Sequence, residues 1–257
     1  MTKDILVVPD PHAHPDHNND RADWLGQYIK DTRPDIVVNM GDTFDMPSLS
    51  AFDKGKASFN GNSYEKDILS GLDFLDRMWH PIRKTKKKLP YSVFLVGNHE
   101  HRVKKVLEYQ AELAGDRFGV SFKNYHLSDY HNEVVYYEGQ TPGIYTVEGV
   151  SFAHYMVSGL MGRPLGGEHP AHSLLAKNHC SCVVAHSHAV DWSVSSSPTG
   201  KRVMGLVAGV YQDYKSSWAG NINHLWWSGI VRLRNVSEGT YDPEFISLEA
   251  LRGEYGA

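Results

Sequence analysis

The chain has 257 residues and a mass of 28.9 kDa, enough to bury a large hydrophobic core in one domain. Its formal net charge of -4 and pI of about 6.4 exclude the strongly basic surface of a general nucleic-acid binder, although a local basic groove stays open. No run of about 18 apolar residues is present, so we expect no membrane-spanning helix. The apolar stretch Ile5–Val8 is too short for the core of a signal peptide.

The first half of the chain alternates predicted strands and helices. Strands are expected at Ile5–Val8, Ile36–Met40 and Ser92–Val96, and helices at Asp20–Thr32 and from about Ser63 to His80. The second helix carries apolar residues at helical spacing, and Pro81 is expected to end it. A long loop rich in Gly, Ser and Lys precedes it, and a further helix is expected directly after Glu100.

The second half is richer in predicted strands. They are expected at Val134–Tyr137, Ile144–Val147, Val150–His154, Ser181–Ala185, Val203–Val210 and Gly229–Asn235, with one helix at about Ala171–Lys177. Alternating strands and helices followed by hairpins indicate two packed mixed β-sheets with helices outside. No repeat or linker marks a boundary, so we expect residues 1–257 to form a single domain.

Two cysteines, Cys180 and Cys182, lie two residues apart in a predicted strand. That spacing is poorly suited to a mutual disulfide. We interpret them as reduced thiols, and a cytoplasmic compartment fits that interpretation.

Five short polar signatures each follow one of the apolar, strand-like segments. They are Asp10-Pro11-His12, Gly41-Asp42, Gly97-Asn98-His99-Glu100, His154 and His186-Ser187-His188. Together they offer two Asp, one Asn and five His side chains and no thiolate, which suits a pair of divalent metal ions that share one carboxylate. Functional groups of α/β sheets gather beyond the carboxyl ends of strands, so we expect these residues to form one site.

The five signatures resemble the calcineurin-like metallophosphoesterase superfamily, whose pattern is D-x-H, G-D, G-N-H-[DE], H and G-H-x-H. The match runs from Asp10 to His188, and Ala185 stands where the pattern has glycine. The resemblance implies a four-layer α/β/β/α sandwich of two mixed sheets flanked by helices. It also implies a hydrolase that cleaves a phosphate ester by in-line attack of a metal-bridging hydroxide.

The same resemblance implies a ligand set. Asp10, His12, Asp42 and His188 would hold one metal, and Asp42, Asn98, His154 and His186 the other, with Asp42 as the bridge. Amide and imidazole ligands with only two carboxylates favour Mn, Fe, Zn or Ni over Mg or Ca, and Mn is our first expectation.

The resemblance also implies that His99 acts as general acid or electrostatic stabiliser at the leaving group. Asp45 resembles the carboxylate that orients this histidine, and a His–Asp pair would raise the pKa of His99 and keep it charged. A cap of the following turn is the other interpretation of Asp45.

Substrate contacts are less strongly indicated. Arg102 has the guanidinium geometry for a bidentate phosphate contact, and the alternative is a solvated residue on the first turn of the helix after Glu100. Arg163 lies in the Gly-rich segment Gly159–Gly167, which we interpret as either a substrate gate or a plain surface loop. The basic run Arg83–Lys88 is expected to be a solvated turn on the side opposite the metals. The C-terminal third is rich in aromatic residues, for most of which we expect core and sheet packing, while some could stack on a base near the site. They are Trp192, Tyr211, Tyr214, Trp218, Trp226 and Trp227.

Two looser stretches, Gly41–Ser50 and Trp226–Gly229 with Tyr241–Glu244, resemble a phage-encoded branch of the superfamily, for which the host cytoplasm would be the location. Three functions follow from the sequence. A phosphodiesterase acting on a nucleotide or nucleic acid is favoured, a phosphomonoesterase for phosphoproteins or nucleotides is the alternative, and a binding module that has lost catalysis is disfavoured by the complete ligand set. The oligomeric state is left open.

Overall fold

A computed structural model describes residues 2–85, 87–115, 119–159 and 161–256. Its helices are α1 Asp20–Thr32, α2 Tyr64–Arg83, α3 Arg102–Tyr109, α4 Leu127–Tyr130, α5 Pro170–Asn178 and α6 Leu248–Tyr255. Its strands are β1 Lys3–Val8, β2 Ile36–Asn39, β3 Tyr91–Leu95, β4 Glu133–Val135, β5 Tyr145–Val147, β6 Val150–Phe152, β7 Val157–Ser158, β8 Arg163–Pro164, β9 Ser181–Val184, β10 Val190–Ser196, β11 Arg202–Ala208, β12 Gly229–Ser237 and β13 Thr240–Ser247.

The fold is built on two mixed β-sheets. The first has the strand order β13-β12-β1-β2-β3-β4, and the second has the order β10-β11-β9-β6-β5. Strands β1 to β4 run parallel to one another, as do β6 and β9 in the second sheet. The carboxyl ends of β1, β2 and β3 therefore meet at one edge of the first sheet.

The alternation of side chains along each strand builds the layers. In β1, Ile5 and Val7 pack toward the second sheet, where they meet Phe152 and Leu206 in a core between the sheets. Leu6 and Val8 point to the other face and pack under α1 and α2. The outer face of the second sheet is covered by α5 through a smaller apolar cluster. These contacts confirm the expected α/β/β/α sandwich, because the central strands are apolar on both faces.

The expected end of the second helix was wrong. Pro81 lies inside α2, which continues to Arg83. A proline in the last turn removes one backbone hydrogen bond, and close packing compensates for it here. A Cβ at Gly26 of α1 would come within 2.9 Å of Pro81 Cγ and 2.5 Å of the Met78 carbonyl oxygen, so the two helices touch at this point.

Six of the described elements escaped the sequence prediction: α4, α6, β7, β8, β10 and β13. The two long strands among them, β10 and β13, lie at sheet edges, and each carries polar residues and many exposed positions, which weakens the apolar pattern by which strands are identified. The other predicted strands and helices lie close to their observed positions. Among the described residues, no helix is both long enough and apolar enough to cross a membrane.

Candidate metal centre

The five polar signatures meet in space, as their places after the strands predicted. Asp10 and His12 follow β1, Asp42 follows β2, and Asn98 follows β3. From the second sheet, His154 follows β6, and His186 with His188 follows β9. Residues from both sheets thus converge at one edge of the sandwich, and Asp10, Asp42 and His154 are almost completely buried there.

The backbone at this edge is unusual. Asp10, His12, Asp42, His186 and His188 all have positive φ angles, of 37°, 44°, 49°, 65° and 60°. Left-handed conformations are uncommon outside glycine and cost of order 1–3 kcal/mol each, and such strain gathers at functional sites. Ala185 itself is not among the residues with a positive φ angle, so alanine can stand where the family pattern has glycine.

Asp10, His12 and His188 form a first set of converging ligand atoms. His12 Nε2 lies 3.1 Å from His188 Nε2, and His188 Nε2 lies 3.6 Å from Asp10 Oδ2. Asp10 Oδ2 also accepts the backbone N–H of His186 at 2.6 Å, which joins the first and last signatures. Burial raises the pKa of Asp10 to about 7.

Asp42, His154 and His186 form a second set. His154 Nε2 lies 3.2 Å from Asp42 Oδ2 and 2.9 Å from Asn98 Oδ1, so the predicted ligand Asn98 belongs to the same group. His154 Nδ1 donates to the carbonyl oxygen of Met40 at 2.8 Å, which turns Nε2 toward the carboxylate. A backbone acceptor on one imidazole nitrogen is the usual support for a histidine that ligates through the other.

The donor set fits divalent cations. Asp10 Oδ1 is buried and has no hydrogen-bond partner among the described residues. Burial lowers the pKa of His186 to about 4 and that of His188 well below its usual range, which keeps both imidazoles in the neutral, ligating form. Although burial opposes it, Asp42 and Asp10 raise the pKa of His154 to about 10, so the field at this point favours positive charge. Neutral imidazoles, one amide and two buried carboxylates are ligands that borderline divalent metals accept.

Asp45 has a different principal partner from the one expected. Its Oδ1 accepts the Nδ1 proton of His12 at 2.7 Å, whereas the same oxygen lies 3.3 Å from His99 Nδ1. The Asp45 carboxylate therefore orients chiefly His12, which is a candidate metal ligand. Burial opposes protonation of His12, yet the Asp45 hydrogen bond raises the pKa of His12 overall.

The expectation of a charged His99 was wrong for this structure. Its Nδ1 donates to the backbone carbonyl of Asp45 at 2.6 Å, and its Nε2 accepts from Arg102 Nη2 at 2.9 Å. Burial and the adjacent Arg102 guanidinium lower the pKa of His99, and they outweigh the carboxylates of Asp42 and Asp45. Arg102 Nη1 also donates to the carbonyl oxygens of Asp45 and Met46, so the arginine holds this loop in place.

Glu100 is a supporting residue to which the sequence assigned no role. Its fully buried carboxylate accepts the backbone N–H groups of Asp42, Phe44 and Gly97 at 2.9–3.0 Å. These bonds tie together the loops that carry Asp42 and Asn98. The loops approach so closely that a Cβ at Gly97 would lie 2.1 Å from Asp42 Oδ1, which explains the glycine of this signature. Glu100 is the last residue of the G-N-H-[DE] pattern, and this position was the sequence signal that could have identified it.

Arg21 supports the first signature and was not singled out by any motif. This completely buried side chain of α1 donates to the carbonyl oxygens of Pro11 at 2.7 Å and of Tyr211 at 3.0 Å. It also forms an ion pair with Asp213 at 3.1 Å. An arginine on a largely apolar helix face would have been the only hint in the sequence.

The site opens into a cleft of about 770 Å³. His12, Asp42, Asn98, His99 and Arg102 line it, together with residues of a C-terminal segment. Arg163 is exposed in the β7–β8 hairpin and is not among the described residues that line the cleft.

The basic run lies at the amino-terminal side of β3, whereas Asn98 follows its carboxyl end. Arg83 packs over the ring of Tyr130, and Lys84, Lys87 and Lys88 are exposed. Lys86 of this run and residue 160 of the Gly-rich segment lie outside the described residues.

Comparison with known proteins agrees with this geometry. The family model of the calcineurin-like phosphoesterases matches residues 3–217. The chain therefore belongs to the calcineurin-like phosphoesterase family and is a metal-dependent hydrolase of phosphate esters. A solved structure with a similar chain is TT1561 of Thermus thermophilus, with 10% sequence identity, coverage of 95% of this chain and 99% of that one, and a TM-score of 0.38. No curated protein sequence matches.

Proposed function

We propose that this hydrolase is a phosphodiesterase that acts on a nucleotide or nucleic acid with two divalent ions, Mn first among them. The observation that carries the proposal is the engagement of Arg102. Three of its five N–H groups are committed to Asp45, Met46 and His99, so two remain, enough for one contact to the monoanionic phosphate of a diester but not for a wider clamp around the dianionic group of a monoester. A diester carries one negative charge less and extends on both sides of phosphorus, which suits an open cleft.

In this proposal Asp10, His12, Asp42 and His188 hold one ion, and Asp42, Asn98, His154 and His186 hold the other. When bound, the ions supply Lewis-acid activation of water and of a phosphate oxygen. Asp45 and the Met40 carbonyl fix the imidazoles of His12 and His154, so their Nε2 atoms face the centre. Asp42 Oδ1 accepts the backbone N–H of His99 at 2.8 Å, which holds this histidine beside the centre.

His99 is the proposed general acid. Because its Nδ1 proton is held by the Asp45 carbonyl, Nε2 is the nitrogen that can hold and release a proton toward a leaving oxygen. A bound phosphate ester would bring negative charge beside Arg102 and His99, and this charge raises the pKa of His99 toward the range useful for proton donation. A protonated Nε2 could no longer accept from Arg102 Nη2, so in the acid form Arg102 would position His99 only through the loop that its Nη1 binds at Asp45 and Met46.

The experiment compares bis-p-nitrophenyl phosphate with p-nitrophenyl phosphate in the presence of Mn. A diesterase hydrolyses the first with the higher kcat/KM, and Asp42→Asn loses both activity and bound metal. A clear preference for the monoester would overturn the diesterase proposal in favour of a phosphatase. A protein that binds no Mn, Ni or Fe would contradict the ligand assignment itself. The proposed setting is a reducing cytoplasm, that of the host if the chain is phage-encoded.

A further inference from the structure

One wall of the cleft is built by the C-terminal segment that runs from residue 212 to residue 218. Five of its residues line the same cleft as His12, Asp42 and His99, namely Gln212, Tyr214, Lys215, Ser216 and Trp218. The family match ends at residue 217, so of these residues only Trp218 lies outside it. Because these side chains share the cleft with His12, Asp42 and His99, they are placed to contact a bound substrate.

The segment is fixed to the metal-binding edge. The Tyr211 N–H donates to the Pro9 carbonyl at 2.6 Å, and the Tyr214 hydroxyl donates to the His12 carbonyl at 2.9 Å. Gln212 Nε2 donates to the Tyr214 carbonyl at 2.6 Å, which braces the turn from within. A recognition surface held in this way loses little conformational freedom when a ligand binds.

A series of aromatic rings extends from the metal centre to the rim of the cleft. The Trp226 ring lies edge-on to the ring of the candidate ligand His188, with centroids 4.3 Å apart. The next ring outward is Trp218, 5.7 Å from Trp226. Trp218 lines the cleft and is 75% exposed, so it presents one large aromatic surface to a ligand that enters the cleft. Such a surface can stack on any nucleobase.

The charges on the cleft walls specify the rest of the ligand. Lys215 is exposed three residues from Trp218. On the opposite loop Lys56 pairs with Asp53 at 3.8 Å, and Asp16 adds a further carboxylate to the lining. This mixture does not favour a long polyanion. It suits a small ligand that combines one aromatic ring system with one or two negative charges.

From these features we infer that Trp218 and Lys215 form a nucleoside subsite. The base of a short nucleotide diester stacks on Trp218, Lys215 faces its anionic backbone, and the ester linkage reaches the centre beside His99. This inference rests on the proposed phosphodiesterase function and narrows its substrate class. It makes Trp218 a specificity-determining residue and leaves the bond-breaking groups unchanged.

The test uses two diesters with the same leaving group. One is the p-nitrophenyl ester of thymidine 5′-monophosphate, and the other is methyl p-nitrophenyl phosphate, which lacks a nucleoside. Stacking on one aromatic side chain predicts that Trp218→Ala raises KM for the nucleoside ester by roughly 10-fold or more. The same variant leaves the methyl ester unchanged. Trp218→Phe keeps most of the preference, and Tyr109→Ala, which removes an 87% exposed ring from α3, is the matched control.

A binding measurement separates this inference from the proposed function. Thymidine 5′-monophosphate should quench the tryptophan fluorescence of the wild-type protein, and most of that quenching should disappear in Trp218→Phe. If wild-type protein with Mn hydrolyses neither diester, the phosphodiesterase proposal fails, while the quenching still reports on the subsite. Equal effects of Trp218→Ala on both esters, or absence of quenching, would overturn the subsite. So would a wild-type dimer that Trp218→Ala converts to monomers, because the ring would then be an interface between copies.

Discussion

Replacement of Arg21 by lysine tests how the first signature is held in place. The arginine is 0% exposed, and its guanidinium reaches the Pro11, Asn18 and Tyr211 carbonyls at 2.7, 2.8 and 3.0 Å as well as Asp213. Lysine keeps the charge but has a single nitrogen, so it cannot reach acceptors on several sides at once. We expect Asp10 and His12 to lose their fixed positions.

The loss can be estimated from these contacts. Two or three hydrogen bonds to a charged donor are removed, at about 1.5–3 kcal/mol each, and buried carbonyls are left unpaired. The lysine ammonium can still make one of these bonds, so we expect Arg21→Lys to cost about 3–5 kcal/mol through the bonds that are lost. For a chain of this size the melting temperature should then fall by roughly 6–20 °C.

Two measurements check the argument, a thermal melt and a calorimetric titration with Mn. We expect a lower melting temperature together with weaker Mn binding, since the displaced loop carries two candidate ligands. Arg234→Lys, at an exposed position of β12, is the matched control and should change neither. A melting temperature within roughly 2 °C of wild type, with unchanged Mn affinity, would refute the positioning role of Arg21.

Three further predictions follow from buried groups. Glu100→Gln should lower the free energy of unfolding by about 2–4 kcal/mol, because an amide cannot accept all three backbone N–H groups. The same variant should weaken Mn binding. An unchanged denaturation midpoint would contradict this prediction. His99→Ala should keep both metal equivalents by elemental analysis and slow turnover by about 100-fold or more, whereas loss of one equivalent would show that His99 is a ligand. Burial lowers the pKa of His131 to about 3, and in the part of the chain that the structure describes neither of its ring nitrogens has a hydrogen-bond partner. The unfolded chain therefore takes up this proton first as the pH falls below about 6.5, so wild type should lose about 2 kcal/mol of stability between pH 7 and pH 5 that His131→Phe retains. Urea titrations at the two pH values check this, and equal pH dependence of the two proteins would contradict it.

The candidate metal centre was predictable because its signals are local. Each signature is a short run of ligand types directly after an apolar strand, and parallel strands bring such ends together. Asp10 and His12 needed no knowledge of distant residues to be chosen as a pair. The helix α1 and the central strands were predicted correctly for the same reason, because their apolar residues recur at regular spacing within a few residues. Edge strands β10 and β13 were missed because their exposed positions weaken that repeat.

The supporting contacts were decided only by the tertiary structure. Asp45 bonds to His12 across 33 residues, and Arg21 bonds to Tyr211 across 190 residues. Arg102 engages His99 rather than solvent, which reverses the expected pKa shift of that histidine. Such pairings depend on how loops from both sheets fold over one edge.

The sequence by itself therefore determined the family, the layered fold and the candidate ligands, since these rest on residue types at fixed local spacing. Only the folded chain decided which groups hold the ligands in place and which aromatic ring faces the cleft. Trp218 illustrates the difference. Its residue type favoured core packing over stacking, and its 75% exposure in the cleft is a property of the assembled structure alone.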